Sequence, residues 1–390
     1  MVKTKMFRAF FKSEKSAGVI LILCTIISLL IANSTAGGSY IEFWQQKAGG
    51  MTVEHWINDA LMAIFFLMIG LELEREVYIG ELSTLKDALL PIFAAVGGML
   101  IPASIYMLFN NGTPTQSGFG IPMATDIAFA LGVLSLLGKR VPASLKIFLT
   151  ALAVIDDLGA ILVIAVFYSK GIVLTNLLVA LGIYGALLIL NRLKVRNLVP
   201  YLAGGVFMWY FMHNSGVHAT IAGVLTAFAI PFGNGGEKST SYILQKFLHK
   251  PVAFFILPVF ALANTAILIE GGLGELLTHN YSLGIGVGLI LGKPVGILLF
   301  SFFAVALGLS KLPGGVRWKH ILSIGFLAGI GFTMSIFITL LAFTDGHVIN
   351  NAKLSILLAS LIAAIIGIFS LKHALKNNSQ SRIGCIKVFR

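Results

Sequence analysis

The chain has 390 residues, of which 57% are hydrophobic and only 11% are charged, and its formal net charge is +12. Soluble domains carry about 25% charged residues, so a water-soluble fold of this length would lack the polar surface it needs. The two cysteines, Cys24 and Cys385, have no partner at metal-ligand spacing and indicate neither a disulfide framework nor a zinc site. The composition therefore favours a protein that spans a lipid bilayer.

Twelve apolar segments follow one another along the chain, and most approach the roughly 20 residues that a helix needs to cross the hydrocarbon core. They lie near 17–34, 55–79, 88–109, 120–138, 145–169, 172–190, 199–212, 217–232, 251–270, 282–307, 320–343 and 352–373. The first is too long for a signal-peptide core, and many spans follow it, which favours an uncleaved helix. We expect an all-α polytopic membrane protein with about twelve transmembrane helices in a single domain over 1–390. Its membrane region would cover 17–373 and a basic cytoplasmic tail 374–390.

Basic residues are concentrated in alternate loops. With the N-terminus inside, all but four of the 28 lysines and arginines lie on the cytoplasmic side; the exceptions are Lys47, Lys170, Lys353 and Lys293. The positive-inside rule then predicts an even number of spans in a bacterial inner membrane, with both termini cytoplasmic. The same distribution accounts for the net charge without a nucleic-acid partner.

Two adjacent acids, Asp156 and Asp157, stand in the middle of the apolar run LTALAVIDDLGAILVIAVF. A charge at the bilayer centre is costly, at least about 2.5–3.5 kcal/mol on insertion scales, so such residues are candidates for function. Neighbouring carboxylates in a low dielectric titrate as a coupled pair. They can hold protons or a hard cation such as Na+, which prefers oxygen ligands. Competition between H+ and a cation for one site is the minimal chemistry of an antiporter, whereas the alternative is a structural pair bonded to backbone.

Two spans are interrupted by glycine or proline. The run that carries Asp126 contains Gly118, Gly120 and Pro122, and a later span contains Gly325, Gly329 and Gly331. Interrupted spans at corresponding positions in two halves indicate a transporter site, and the spacing here matches 88–169 with 282–373 as a repeat. Alternatively, the glycines only allow close helix packing.

Broken helices leave positive ends that Asp126 can balance and negative ends that Lys293 can balance. Lys293, in the run GLILGKPVGILLF, is also a candidate partner for Asp156 or Asp157, or else a lysine whose long stem reaches the interface. His218 can sense pH or simply pack. Glu72, Glu74, Arg75 and Glu76 form either a cation funnel or a solvated helix end, and Asp59 has no clear assignment.

Six runs together resemble the NhaA-type sodium/proton antiporter family over about residues 17–373. They are WINDALMAIFFLMIGLELERE, IPMATDIAFALG, LAVIDDLGAI, SGVHATIAGVL, LGKPVGI and GIGFTMSIFI. The resemblance implies a twelve-helix fold with inverted-topology repeats and two crossed, broken helices. It also implies alternating access that expels Na+ or Li+ for a larger number of protons. Such a protein is an electrogenic secondary transporter rather than an enzyme, needs no cofactor, and serves sodium and pH homeostasis.

The resemblance also assigns roles to residues. Asp156 and Asp157 match the ion- and proton-binding pair that would hold Na+, and Asp126, Lys293 and Thr125 match the charge compensation at the crossing. Glu72, Glu76 and His218 match positions tied to pH response. A homodimer is implied through the segment GGSYIEFWQQKAGG. Gln245 replaces an acidic residue of well-known members, which bears on the pH profile and not on transport itself.

Two other functions share some of these features. An intramembrane aspartyl protease also buries two aspartates, but on two facing helices, and this chain has no GxGD run. A sodium-coupled symporter of similar architecture is disfavoured by Lys293 and by the absence of a roomy polar site for an organic substrate.

Overall fold

The computed structural model describes residues 2–169, 171–269 and 274–388. Three parts of the sequence predictions lie outside the described residues: Lys170 of an outer loop, residue 270 at the end of the ninth span, and Arg390 of the tail.

Helices make up most of the described chain and strands almost none of it, which confirms the all-α prediction. The α-helices are α1 (Val2–Ala32), α2 (Gly37–Gln45), α3 (Val53–Trp56), α4 (Met62–Ile79), α5 (Leu85–Asn110), α6 (Ile127–Leu136), α7 (Ala143–Phe167), α8 (Leu174–Arg192), α9 (Val199–His213), α10 (Ile221–Ala229), α11 (Thr240–Pro251), α12 (Leu257–Asn264), α13 (Asn280–Val287), α14 (Lys293–Ala306), α15 (Trp318–Ala328), α16 (Phe332–Ala342) and α17 (Gly346–Val388). A hairpin of β1 (Lys47–Ala48) and β2 (Met51–Thr52) follows α2, with Lys47 opposite Thr52 and Ala48 opposite Met51.

Several helices are joined by tighter or wider turns. 3₁₀ segments cover Glu81–Ser83, Gln116–Met123, Gly138–Arg140 and Glu275–Thr278. π-helical segments cover Ile57–Leu61, Val252–Ile256 and Gly288–Gly292, and each leads into an α-helix without a break. π turns inside helices occur frequently at functional sites.

Within the described residues, eight helical stretches are long and apolar enough to cross a membrane, or ten when each of two bent pairs counts as one span. One bent pair is α1 with α2, at 114°, and the other is α15 with α16, at 49°. The remaining two predicted segments, 199–212 and 217–232, contain only α9 with 15 residues and α10 with 9 residues. The chain is a multi-pass membrane protein, and the count of twelve crossings stays a prediction.

The chain divides into two compact units. The first contains residues 2–19, 84–156 and 274–388, and the second contains 20–83 and 157–269, each within the described ranges.

In the first unit, α5 packs closely against α14. A Cβ on Gly97 would lie 2.3 Å from the Gly296 carbonyl oxygen, and one on Gly296 would lie 2.1 Å from the Gly97 carbonyl oxygen. The two backbones therefore touch directly, as small residues allow in membrane helices. Because α5 precedes the first broken span and α14 precedes the second, this contact ties the two predicted repeats together within the unit.

In the second unit, a small apolar core joins α8, α9 and the segment that leads into α10. Its buried members are Ala180, Met208, Met212, Ala219 and Ala222. Large apolar side chains elsewhere are exposed, including Val166 at 70%, Phe247 at 69% and Leu108 at 83%. In a bilayer these side chains face lipid, whereas in water they would form an extensive exposed apolar surface that promotes aggregation.

Candidate ion-binding site

Helix α7 carries both acids of the central pair. Asp156 and Asp157 are each only 1% exposed. Adjacent residues on a helix point about 100° apart, so the two carboxylates leave the helix in different directions while remaining neighbours.

Asp156 has two close partners on one of its oxygens. Its Oδ2 lies 2.7 Å from Lys293 Nζ and accepts a hydrogen bond of 2.6 Å from Thr125 Oγ1. Its other oxygen, Oδ1, is buried and has no hydrogen-bond partner among the described residues. Lys293 and Thr125 are themselves 0% exposed, so the ion pair is removed from water. The sequence left open which acid Lys293 pairs with, and this contact is with Asp156.

The first broken span is interrupted at Ala124–Asp126, between the 3₁₀ segment Gln116–Met123 and α6. Asp126 caps α6, because its Oδ1 accepts from Phe129 N at 2.9 Å. Its Oδ2 accepts from Thr333 N at 3.1 Å and from the Thr333 hydroxyl, at the start of α16. One buried carboxylate thus lies at the N-terminal ends of two helices, where partial positive charge is concentrated. The charge compensation expected of Asp126 stays a prediction.

The C-terminal ends of the helical segments before the two breaks, which carry partial negative charge, lie beside the ammonium of Lys293 and the hydroxyl of Thr125. Lys293 Nζ donates to the carbonyl oxygen of Met123, the last residue of the 3₁₀ segment. Thr125 Oγ1 lies 2.9 Å from the carbonyl oxygen of Ala328, the last residue of α15. Lys293 therefore contacts the C-terminal end of the 3₁₀ segment and pairs with Asp156 at the same time. Its role in charge compensation stays a prediction.

The two interruptions are bonded to each other directly. Asp126 N donates to the Ile330 carbonyl at 2.7 Å, and Ser335 Oγ donates to the Ile121 carbonyl at 2.7 Å. Backbone groups freed by a break in a membrane span must find partners inside the protein. Here each broken span supplies partners for the other, which is the crossing that the resemblance implied.

A comparison of the whole sequence with protein families agrees with this arrangement. The sequence model of the family described as Na+/H+ antiporter 1 matches residues 8–371 of the chain. The chain belongs to this family.

Curated relatives cover nearly the full length. A protein of Flavobacterium psychrophilum named Na(+)/H(+) antiporter NhaA is 69% identical over 374 residues, which is 96% of this chain and 97% of the relative. Na(+)/H(+) antiporter NhaA 1 of Flavobacterium johnsoniae is 61% identical over 381 residues, covering 98% and 100%. Na(+)/H(+) antiporter NhaA of Cytophaga hutchinsonii is 60% identical over 376 residues, covering 96% and 97%.

The residues predicted for pH response in this Na+/H+ antiporter 1 family member all lie in the second unit. Glu72 and Glu76 are on α4; Glu72 is half-buried, and Glu76 Oε2 accepts from Glu81 N at 3.1 Å. Between them, the Arg75 guanidinium lies 4.4 Å from the centre of the Tyr242 ring. His218 Nε2 lies 3.0 Å from the Tyr168 carbonyl oxygen. Their role in pH response stays a prediction.

Three hydroxyl residues at the crossing were not predicted from the sequence of this family member. Thr333 donates to Asp126, Ser335 bonds the Ile121 carbonyl, and Ser360 Oγ accepts from Gly331 N and Phe332 N at 3.2 Å each. The signal for Thr333 and Ser335 is their place in GFTMS directly after the interruption. Ser360 lies in an ordinary apolar helix and carries no such signal.

Proposed function

We propose that the protein is an electrogenic Na+/H+ antiporter, which also accepts Li+, with Asp156 and Asp157 as the shared ion and proton site. The observation that carries the proposal is the buried Asp156–Lys293 ion pair placed at two interrupted, mutually bonded spans. The names of the relatives support the exchange of Na+ for H+. The transported ions are cargo, and the proposed reaction requires no resident cofactor.

The arrangement suggests how one ion displaces protons. Na+ needs oxygen ligands, and the buried Oδ1 of Asp156 is an acceptor not engaged by a protein donor among the described residues. When Na+ binds to the carboxylates, the Lys293 ammonium loses its attraction to Oδ2, because a second cation now occupies the pair. Lys293 then releases its proton, and Asp157 releases another. When Na+ leaves, both groups take protons again from the opposite side.

Counting charges makes the cycle electrogenic. The proton-loaded site has ionised Asp156, neutral Asp157 and charged Lys293, for a net charge of zero. The sodium-loaded site has two carboxylates, one Na+ and neutral Lys293, for a net charge of minus one. Two protons therefore exchange for one Na+, and each cycle moves one net charge across the membrane.

Inverted membrane vesicles test the proposal. Vesicles that hold a respiration-driven pH gradient should discharge it on addition of Na+ or Li+ but not K+. Asp157→Asn should abolish the response while the protein remains in the membrane at the wild-type level. Unchanged exchange in Asp157→Asn, or no response of the wild type to Na+, contradicts the proposal.

The membrane placement belongs to the same proposal. The basic loops support an inner-membrane protein with both termini in the cytoplasm. The predicted dimer segment, 37–50, contains α2 and β1, and its residues 45–50 are exposed. Cysteine pairs introduced into β1 and β2 should cross-link two copies in the membrane if this hairpin forms the dimer contact.

A further inference from the structure

A second group of ionisable side chains lies in the second unit, apart from the contacts described for Asp156. His55 is on α3, Asp59 is on the π-helical segment Ile57–Leu61, and His213 ends α9. Each offers one ligand atom, and these atoms all lie within 4.8 Å of one another. In the described ranges, this is the one group of three or more His, Cys, Asp or Glu side chains with that geometry.

The local sequence holds the three residues in place. Thr52 caps α3 by accepting from His55 N at 3.1 Å. Asp59 follows His55 by four residues, which brings both to one side of the helix. The His213 ring stacks on Trp209 at 5.9 Å, and Trp209 stacks on Trp56 at 5.9 Å. These two stacking contacts hold His213 beside the helix that carries His55 and Asp59.

Two imidazole nitrogens and one carboxylate oxygen form a ligand set typical of Zn2+ and its neighbours in the first transition series. In a tetrahedral site with bonds of about 2.0–2.1 Å, ligand atoms are roughly 3.3 Å apart. Here His213 Nδ1 lies 2.7 Å from Asp59 Oδ2, and the widest separation in the group is at most 4.8 Å. Small side-chain rotations bring all three atoms to bonding distance of one ion.

The site is also exposed on one side, at the end of α9. The side chains of His213 and Asp59 are 32% and 16% exposed, and His55 is exposed. A water molecule can therefore fill a fourth position, as in three-ligand zinc sites. A simple His213–Asp59 ion pair accounts for two of the residues. That ion pair does not explain the position of the His55 ring. Its centre lies 5.7 Å from that of the His213 ring, and the two ring planes make an angle of 86°.

We propose that His55, Asp59 and His213 bind one divalent transition-metal ion of the zinc class. The site differs in chemistry from the proposed sodium site, because imidazole nitrogen is a poor ligand for a hard monovalent cation. An ion bound there would cross-link the end of α9 to the helix that continues into α4. It requires no assumption about which ion the protein transports.

Metal titration of the purified full-length protein tests the inference. The protein is prepared in detergent without a histidine tag, stripped with a chelator, and titrated with Co2+ while its visible absorption is recorded. We expect one equivalent of Co2+ to bind with bands of a four- or five-coordinate ion, and Zn2+ to displace it. His55→Gln and His213→Gln should each raise the Kd for Zn2+ at least tenfold.

A matched control is available in the first unit. His279 and His347 lie with ring centres 6.4 Å apart but do not belong to a three-ligand group. His347→Gln should leave the Kd for Zn2+ unchanged. Because His55 is exposed, His55→Gln should fold normally and is the decisive variant. Sodium-driven exchange by this variant in vesicles checks that it is folded. Wild-type affinity in His55→Gln, or the absence of one saturable equivalent in the wild type, overturns the inference.

Discussion

The two oxygens of Asp156 have different surroundings. Oδ2 is held by Lys293 and Thr125, whereas Oδ1 is buried without a hydrogen-bond donor in the described part of the chain. Leaving a buried acceptor unsatisfied costs about 1–3 kcal/mol. A cation that approaches Oδ1 relieves this penalty, and Thr125 helps to keep the carboxylate oriented so that Oδ1 remains the open oxygen.

Thr125→Val tests this role because valine keeps the shape and removes the hydroxyl. Hydrogen bonds to charged groups contribute about 1.5–3 kcal/mol, so we expect the half-maximal Na+ concentration to rise roughly tenfold or more. Sodium-driven discharge of the pH gradient in inverted vesicles measures it. Thr125→Ser should behave as the wild type.

Thr339→Val is the matched control for a lost buried hydroxyl. Thr339 donates to the Ser335 carbonyl four residues earlier in α16, at 2.8 Å. Its replacement should leave the half-maximal Na+ concentration unchanged. Equal effects of Thr125→Val and Thr339→Val would show that Thr125 acts only through packing.

At the residue scale, the sequence identified the charged groups and the resemblance added Thr125, but Thr333, Ser335 and Ser360 were missed. Asp126, Asp156 and Lys293 stand out because each is a charge inside an apolar run. Thr333 is marked only by its place directly after the interruption, and its residue type adds nothing, because serine and threonine in helices commonly bond the carbonyl four residues back, as Thr339 does here. Which hydroxyl instead crosses to another element depends on tertiary placement, which no local pattern encodes.

At the scale of elements, α5 and α14 meet with their backbones in contact at Gly97 and Gly296. In Gly296→Ala, the new Cβ would meet the Gly97 carbonyl oxygen at 2.1 Å. The obstacle is backbone, so the helices must move apart. Overpacking costs typically about 1–3 kcal/mol, and we expect a melting temperature in detergent that is clearly lower than that of the wild type.

Gly286→Ala provides the control for this prediction. Gly286 lies on α13, and a Cβ there would meet nothing within 4 Å. Alanine favours helix over glycine, so the melting temperature should be unchanged or slightly higher. A similar loss in both variants would mean that the close approach of α5 and α14 is not the cause.

Element boundaries were harder to predict than element type. Apolar length located ten of the predicted segments, because transfer into lipid depends on summed hydrophobicity. The segment 217–232 is equally apolar, yet its helix covers only Ile221–Ala229. Hydrophobicity measures burial and not backbone conformation, so it does not predict where within an apolar segment the helix begins and ends.

At the scale of the whole molecule, the proposed cycle makes Lys293 the link between the ion site and the membrane potential. In the proposed cycle it supplies one of the two protons that exchange for each Na+. Lys293→Gln removes that proton and retains a polar side chain of similar length. If this variant transports, one proton should exchange for one Na+, and the cycle should become electroneutral.

Proteoliposomes with an imposed membrane potential measure the difference. Sodium-driven exchange by the wild type should accelerate or slow with the sign of the potential, whereas exchange by Lys293→Gln should not respond. Loss of the ammonium also leaves Asp156 without its ion partner, and breaking a buried pair is destabilising by about 3–5 kcal/mol. The melting temperature should therefore fall, and Lys293→Arg, which keeps the charge, should lose less. A Lys293→Gln variant that still responds to the potential as the wild type does would assign the second proton to another group, and Asp156 itself would then be the carrier.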